Sequence, residues 1–222
     1  MRRGIKSYLV FTSVWYRLGV YLVMPVVLMG LSLWIEGCVQ GDGGVSVVLG
    51  AVLLPMTEII SDNWLFGGIQ TKDSIGLEYL KTSGQGLGIL KSALWVDLGR
   101  KFLSALCMIA LCRLGGILVA GKALSFGNFC GSYGGEALLY FVLLSYFVSV
   151  LGTFLSRFTD MLWINCLIGY GATGLTAFGM ILLNLGRYLL IVDVLLGSLG
   201  ILVSVLAVRI ARKRVERSYY DQ

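Results

Sequence analysis

Residues 18–35 read LGVYLVMPVVLMGLSLWI, eighteen positions without a single charge, bounded by Arg17 and Glu36. A helix of about 20 apolar residues crosses the roughly 30 Å hydrocarbon core of a bilayer. Working outward, five more apolar runs follow, charge-free at residues 137–156 and 161–183 and with one charge each at 44–60 (Glu58), 102–121 (Arg113) and 188–208 (Asp193). None shows the in-out alternation of barrel strands, so backbone satisfaction in lipid requires helices. The expected class is an all-α integral membrane protein with six transmembrane helices.

Composition agrees. The chain of 222 residues is 57% apolar and 14% charged, against about a quarter charged in a soluble domain. Its 30 glycines are scattered through apolar runs, as close helix packing in lipid requires. There is no histidine, which excludes imidazole-based hydrolases, peptidases, zinc sites and haem ligation. The five cysteines show no C-x-x-C spacing, so neither a metal nor a dithiol redox site is expected. Glu58, Asp160 and Asp193 are too scattered for a membrane enzyme, and no catalytic residue is assigned.

Lys and Arg set the orientation. With the N-terminus inside, 15 of the 18 basic residues fall in cytoplasmic segments, only Lys122 and Arg187 fall outside, and Arg113 lies within a span. This asymmetry places both termini in the cytoplasm. The net charge of +6 then reflects topology, and nucleic acid is not an expected partner. Multi-pass residence in a membrane follows, with membrane lipids as neighbours, and a bacterial cell membrane is the expected location.

The domain plan is one transmembrane unit over residues 1–222. Residues 1–17 form an interfacial helix, with Arg2, Arg3, Lys6, Ser7, Ser13 and Arg17 on one arc of the helical wheel. Residues 18–60 hold spans one and two. Residues 61–101 form a cytoplasmic connector, 102–208 hold spans three to six, and 209–222 form a basic tail. The connector's centre, TKDSIGLEYLKTS at residues 71–83, reads as a short amphiphilic helix before a glycine-rich bend. The nearby GLGILKS at 86–92 fails the phosphate-loop spacing, because Gln85 and Leu90 stand where glycines are needed.

Glu58 marks the inner end of the second span. Pro25 and Pro55, the two prolines, each remove a helical hydrogen bond and are candidate hinges. Arg113 and Asp193 lie about 12 and 8 Å from the outer ends of their spans at 1.5 Å per residue. A charge at that depth seeks a partner, so the two are expected to pair near an outer gate, within one chain or across a dimer. Cys38 and Cys130 fall in outside loops, where two free thiols are expected over a bridge.

Gly76-Leu77-Glu78-Tyr79-Leu80-Lys81-Thr82-Ser83 followed by Ile89-Leu90-Lys91-Ser92, set between spans two and three, resembles the coupling helix of type-2 ABC transporter permeases. The six-span layout with both ends inside is similar to the same class. Thr82-Ser83-Gly84 stands where such permeases often carry proline. The resemblance implies a permease subunit that hydrolyses no ATP itself and binds no cofactor. ATP and magnesium belong to a separate ABC ATPase, touched through Asp73, Glu78, Tyr79, Lys81, Thr82 and Ser83. It also implies pairing with a second permease copy or sibling. Without a sizeable outside domain, export of an amphiphilic cargo is expected, a hydrophobic or antimicrobial peptide ahead of a lipid or drug. A six-span capture subunit of a vitamin or metal uptake system remains open, as does a membrane immunity or accessory protein.

Overall fold

The computed structural model describes residues 2–40, 44–70, 85–122, 129, 134–156, 162–185 and 188–220. Every regular element among them is helical. In chain order these are α1 (Arg2–Phe11), α2 (Val14–Leu18), a π-helical turn (Gly19–Val23), α3 (Met24–Val39), α4 (Gly44–Gln70), α5 (Gly86–Val119), α6 (Gly134–Ser156), α7 (Leu162–Leu185) and α8 (Leu189–Tyr220). Five helical stretches are long and apolar enough to cross a membrane: Val14–Val39, Gly44–Asp62, Gly86–Val119, Gly135–Leu155 and Leu189–Lys213. The chain is a multi-pass, all-helical membrane protein. α7 adds a helix of 24 residues.

The first helix, expected over residues 1–17, ends at Phe11. The chain breaks at Thr12 and Ser13, where the Ser13 hydroxyl accepts from the Tyr16 N–H and starts α2. Arg17 folds back over the joint, donating to the Thr12 carbonyl at 3.3 Å and the Ser13 carbonyl at 3.4 Å. Residues 14–17 therefore belong to the first spanning rod. α1 packs along the first turns of α5, with Tyr8 buried and Lys6 exposed.

The π turn has a local cause. Pro25 cannot donate to the Tyr21 carbonyl, and its ring crowds that carbonyl in a regular α-helix. Widening the preceding turn relieves the clash.

The segment expected as a connector, 61–101, is helical at both described ends. α4 continues to Gln70 and α5 already begins at Gly86. At 1.5 Å per residue α4 is about 40 Å long and α5 about 51 Å, both beyond the roughly 30 Å of hydrocarbon. α8, with 32 residues, likewise carries the basic tail as helix to Tyr220. No proline interrupts these extensions, so the hydrogen-bond ladder continues after the lipid ends.

α6 occupies the middle, packed against α4, α5, α7 and α8. Its Tyr140, Phe141, Leu144 and Val148 join Leu28, Ala51, Leu54, Ala105, Ile109 and Ala172 in one apolar core. A second core gathers Tyr8, Tyr16, Leu90, Ala93, Leu94, Leu98, Val150 and Val208 around the start of α5. Gly50 lets α4 approach α5: a β-carbon there would lie 3.0 Å from Cys112 Sγ. The first span is peripheral, with 6% of its most apolar window buried, and rests on α4 and α5.

Candidate functional site

Glu58 and Asp62 are four residues apart on α4, and Asp97, Arg100 and Lys101 follow at spacings of three and four on α5. Such spacings put each set on one helical face. The close α4–α5 approach turns the two faces together. Arg100 Nη1 donates to Glu58 Oε1 at 2.9 Å, and its Nη2 also reaches Glu58 Oε2. Arg100 Nε donates to Asp97 Oδ1 at 3.1 Å. Lys101 Nζ sits 2.9 Å from Asp62 Oδ1 and 2.7 Å from Asp97 Oδ2. Lys101 and Asp62 expose no side-chain surface, and Asp97 and Glu58 expose 2% and 4%.

Arg100 lies nineteen residues from Val119, and Asp62 eighteen from Gly44, about 29 and 27 Å along their helices. The cluster therefore sits where α4 and α5 leave the hydrocarbon layer. Stripping water from an ion costs several kcal/mol even after relaxation. Each cation offsets that cost by touching two carboxylates, with a bidentate guanidinium on Glu58.

Three tyrosines cover the cluster from the N-terminal side. Tyr21 Oη donates to Tyr8 Oη at 3.0 Å, and the Tyr16 and Tyr21 rings meet edge to face at 6.5 Å. The Arg100 guanidinium carbon lies 5.9 Å from the Tyr21 ring centroid, within cation–π range. Burial pushes the Tyr8 phenol well above its ordinary value, so it remains a neutral hydrogen-bonding group.

A crevice of ≈ 520 Å³ adjoins the cluster, between the first span, α4 and α5. Glu58, Arg100, Thr57, Ser61 and Ser104 give it a polar side, while Val23, Met24, Leu28, Leu54, Leu103 and Leu111 give apolar walls. Its rim residues Tyr21, Met24, Ile60, Leu103 and Leu111 are exposed, as is the free thiol of Cys107. The π turn and Pro25 form part of the lining, so the wall of the crevice is also the least regular part of its helix. Hydrocarbon fits the walls, and a polar group fits the end beside the ions. No group of three or more His, Cys, Asp or Glu that could hold a metal occurs among the described residues.

The structure treats the sequence-derived candidates unevenly. Glu58 becomes a member of the buried cluster. Pro55 is fully buried inside α4, one turn from Glu58, and Pro25 lines the crevice. Asp73, Glu78, Tyr79, Lys81, Thr82 and Ser83 lie outside the described residues, as does Cys130; Cys38 is an exposed free thiol.

Arg113 and Asp193 do not meet within the chain. Arg113 Nε donates to the Phe129 carbonyl at 2.9 Å, whereas both Asp193 carboxylate oxygens are buried without a hydrogen bond. The reason is helix placement. α8 lies mainly along α6, and meets α5 at the basic end, around Lys91 and Trp95, far from Arg113.

Reading residues 61–101 as a cytoplasmic connector gives no role to Asp62, Asp97, Arg100 and Lys101, which the structure brings together. The i,i+4 acidic pair on α4 and the D-x-x-R-K run on α5 were the available signal. Glu36 was missed too: wholly buried, it accepts the Ser46 N–H at 2.6 Å and so caps the first turn of α4. Comparison with protein-family models, curated proteins and solved structures finds no match to any of them.

Proposed function

We propose that the chain is the membrane-spanning permease subunit of an ATP-driven exporter of the ABC type. The observation that carries this reading is the bracing of α4 and α5. Both helices run past the bilayer at the basic end, and buried ion pairs lock them where they leave it. The stretch between these two braced rods holds residues 76–83, likened with 89–92 to a coupling helix. A force on that segment reaches the crevice walls through two helices moving as one.

In this reading α7 also crosses the membrane, as the fifth of six spans in chain order, and the Lys/Arg-rich end faces the cytoplasm of a bacterial cell with both termini inside. ATP and magnesium bind a separate ATPase, and this chain catalyses no reaction. It pairs with a second permease copy or a sibling. The crevice, apolar with an ionic end, suits an amphiphilic cargo, a hydrophobic peptide ahead of a lipid or drug.

The test is co-purification. An ATP-binding subunit encoded beside this chain is expected to be retained by the wild type and lost with Glu78→Lys, because a reversed interfacial charge repels its former partner. ATPase activity in reconstituted vesicles should fall in parallel. Undiminished recovery and activity with Glu78→Lys would overturn the proposal.

A further inference from the structure

A second hollow, of ≈ 280 Å³, lies between α5 and α8 at the basic end, lined by Lys91, Trp95, Val205, Val208, Arg209 and Arg212. Lys91 and Trp95 stand one turn apart on α5. Val205, Arg209 and Arg212 succeed one another at four and three residues on α8, so each set shares a face. Three cations line the hollow and no described acidic residue does.

Depth places this hollow at the edge of the bilayer. Arg209 is twenty residues beyond Leu189 and Arg212 twenty-three, about 30 and 35 Å along the helix, the first at the hydrocarbon boundary and the second among the headgroups. Trp95 is 44% exposed, as suits an indole at the membrane interface. Val208, 4% exposed, closes the floor against the second apolar core.

We propose that this hollow binds the phosphodiester headgroup of an anionic phospholipid from the cytoplasmic leaflet. Arginine matches a phosphate with paired N–H donors, and Lys91 adds a third positive charge. Val205, Val208 and Trp95 continue the site as hydrocarbon, which a free phosphate could not use and the upper acyl chains of a lipid can. Basic hollows between membrane helices on the cytoplasmic side recognise lipid headgroups in this way. The bound lipid would bridge α5 and α8 at their basic ends. The inference rests on the inside placement of that end and is independent of the ATPase.

The experiment uses the full chain in neutral detergent, with native mass spectrometry after titration of phosphatidylglycerol or phosphatidylcholine. The wild type is expected to retain phosphatidylglycerol in preference to phosphatidylcholine. Retention should weaken about fivefold per cation removed, and about a hundredfold in Lys91→Gln/Arg209→Gln/Arg212→Gln. Phosphatidylcholine binding should not change. The charge-conserving Arg209→Lys/Arg212→Lys is expected to keep most of the preference, and the single variant Lys91→Gln, at an exposed site, gives the same test without risk to the fold. Phosphatidylglycerol retention equal to that of the wild type in both Lys91→Gln and the triple variant would overturn the proposal. So would complete displacement of the lipid by millimolar orthophosphate, which would make the hollow a soluble-anion site.

Discussion

Replacing Lys101 by methionine is the sharpest test of the charge cluster. Lys101 is wholly buried between Asp62 and Asp97, so methionine fills much of the volume and removes only the charge. Among the charges of the cluster, three carboxylates would then stand against the single cation Arg100. Breaking a buried pair by deleting one partner costs about 3–5 kcal/mol, because the surviving charge is left uncompensated. Asp62→Asn acts oppositely: it leaves two carboxylates against two cations and should cost only about 1–2 kcal/mol, the value of an impaired buried hydrogen bond. Lys101→Met/Asp62→Asn should lose less than the two singles added, by a coupling of about 1–3 kcal/mol. Unfolding by sodium dodecyl sulfate in mixed micelles, followed by tryptophan fluorescence, measures all three. If Lys101→Met lies within about 1 kcal/mol of the wild type, or the cycle is additive, the cluster does not hold α4 to α5.

Three further outcomes are expected. In a Cys38→Ser/Cys130→Ser/Cys166→Ser background, a membrane-permeant maleimide should label the exposed Cys107 well before the buried Cys112, which reacts only on unfolding, and a long-chain amphiphile lodged in the crevice should slow Cys107; equal rates for the two thiols would contradict the crevice geometry. Gly50→Val should destabilise by about 1–3 kcal/mol, since its β-carbon must enter the 3.0 Å gap at Cys112, and an unchanged unfolding midpoint would mean the two helices are not that close. Arg113→Ala and Asp193→Ala should be additive in stability in a monodisperse single-chain preparation, whereas a non-additive cycle would put the two residues in contact.

The sequence made the lipid-crossing character legible because hydropathy is a sum over about twenty residues and tolerates local exceptions. Helix ends were less legible. Charges at 58, 62, 97, 100 and 101 look like the edge of the membrane when each is read alone, and a solvated connector is the natural inference from such charges. Their meaning depends on which charges face them across forty residues of chain, and one-helix periodicity carries no such information. That Arg113 and Asp193 lie apart within one chain has the same origin: equal depth is a one-dimensional argument, while contact requires neighbouring helices. The break at Thr12-Ser13 could have been read locally, since serine before an aromatic run is a helix-start signal.

The cluster also constrains how the chain enters the membrane. α4 carries Glu58 and Asp62 without a cation of its own, and an intramembrane carboxylate costs about 2.5–3.5 kcal/mol at mid-bilayer on the insertion scale, less near the edge. Its neutralising partners, Arg100 and Lys101, are synthesised about forty residues later, a delay of roughly 2–8 s at ordinary elongation rates. During that interval the second span is an uncompensated acidic helix, free to slide its carboxylates toward water. Its carboxylates meet their cations only when α5 arrives, so the two helices are expected to behave as one insertion unit, a hairpin whose charges pair before it is released into lipid.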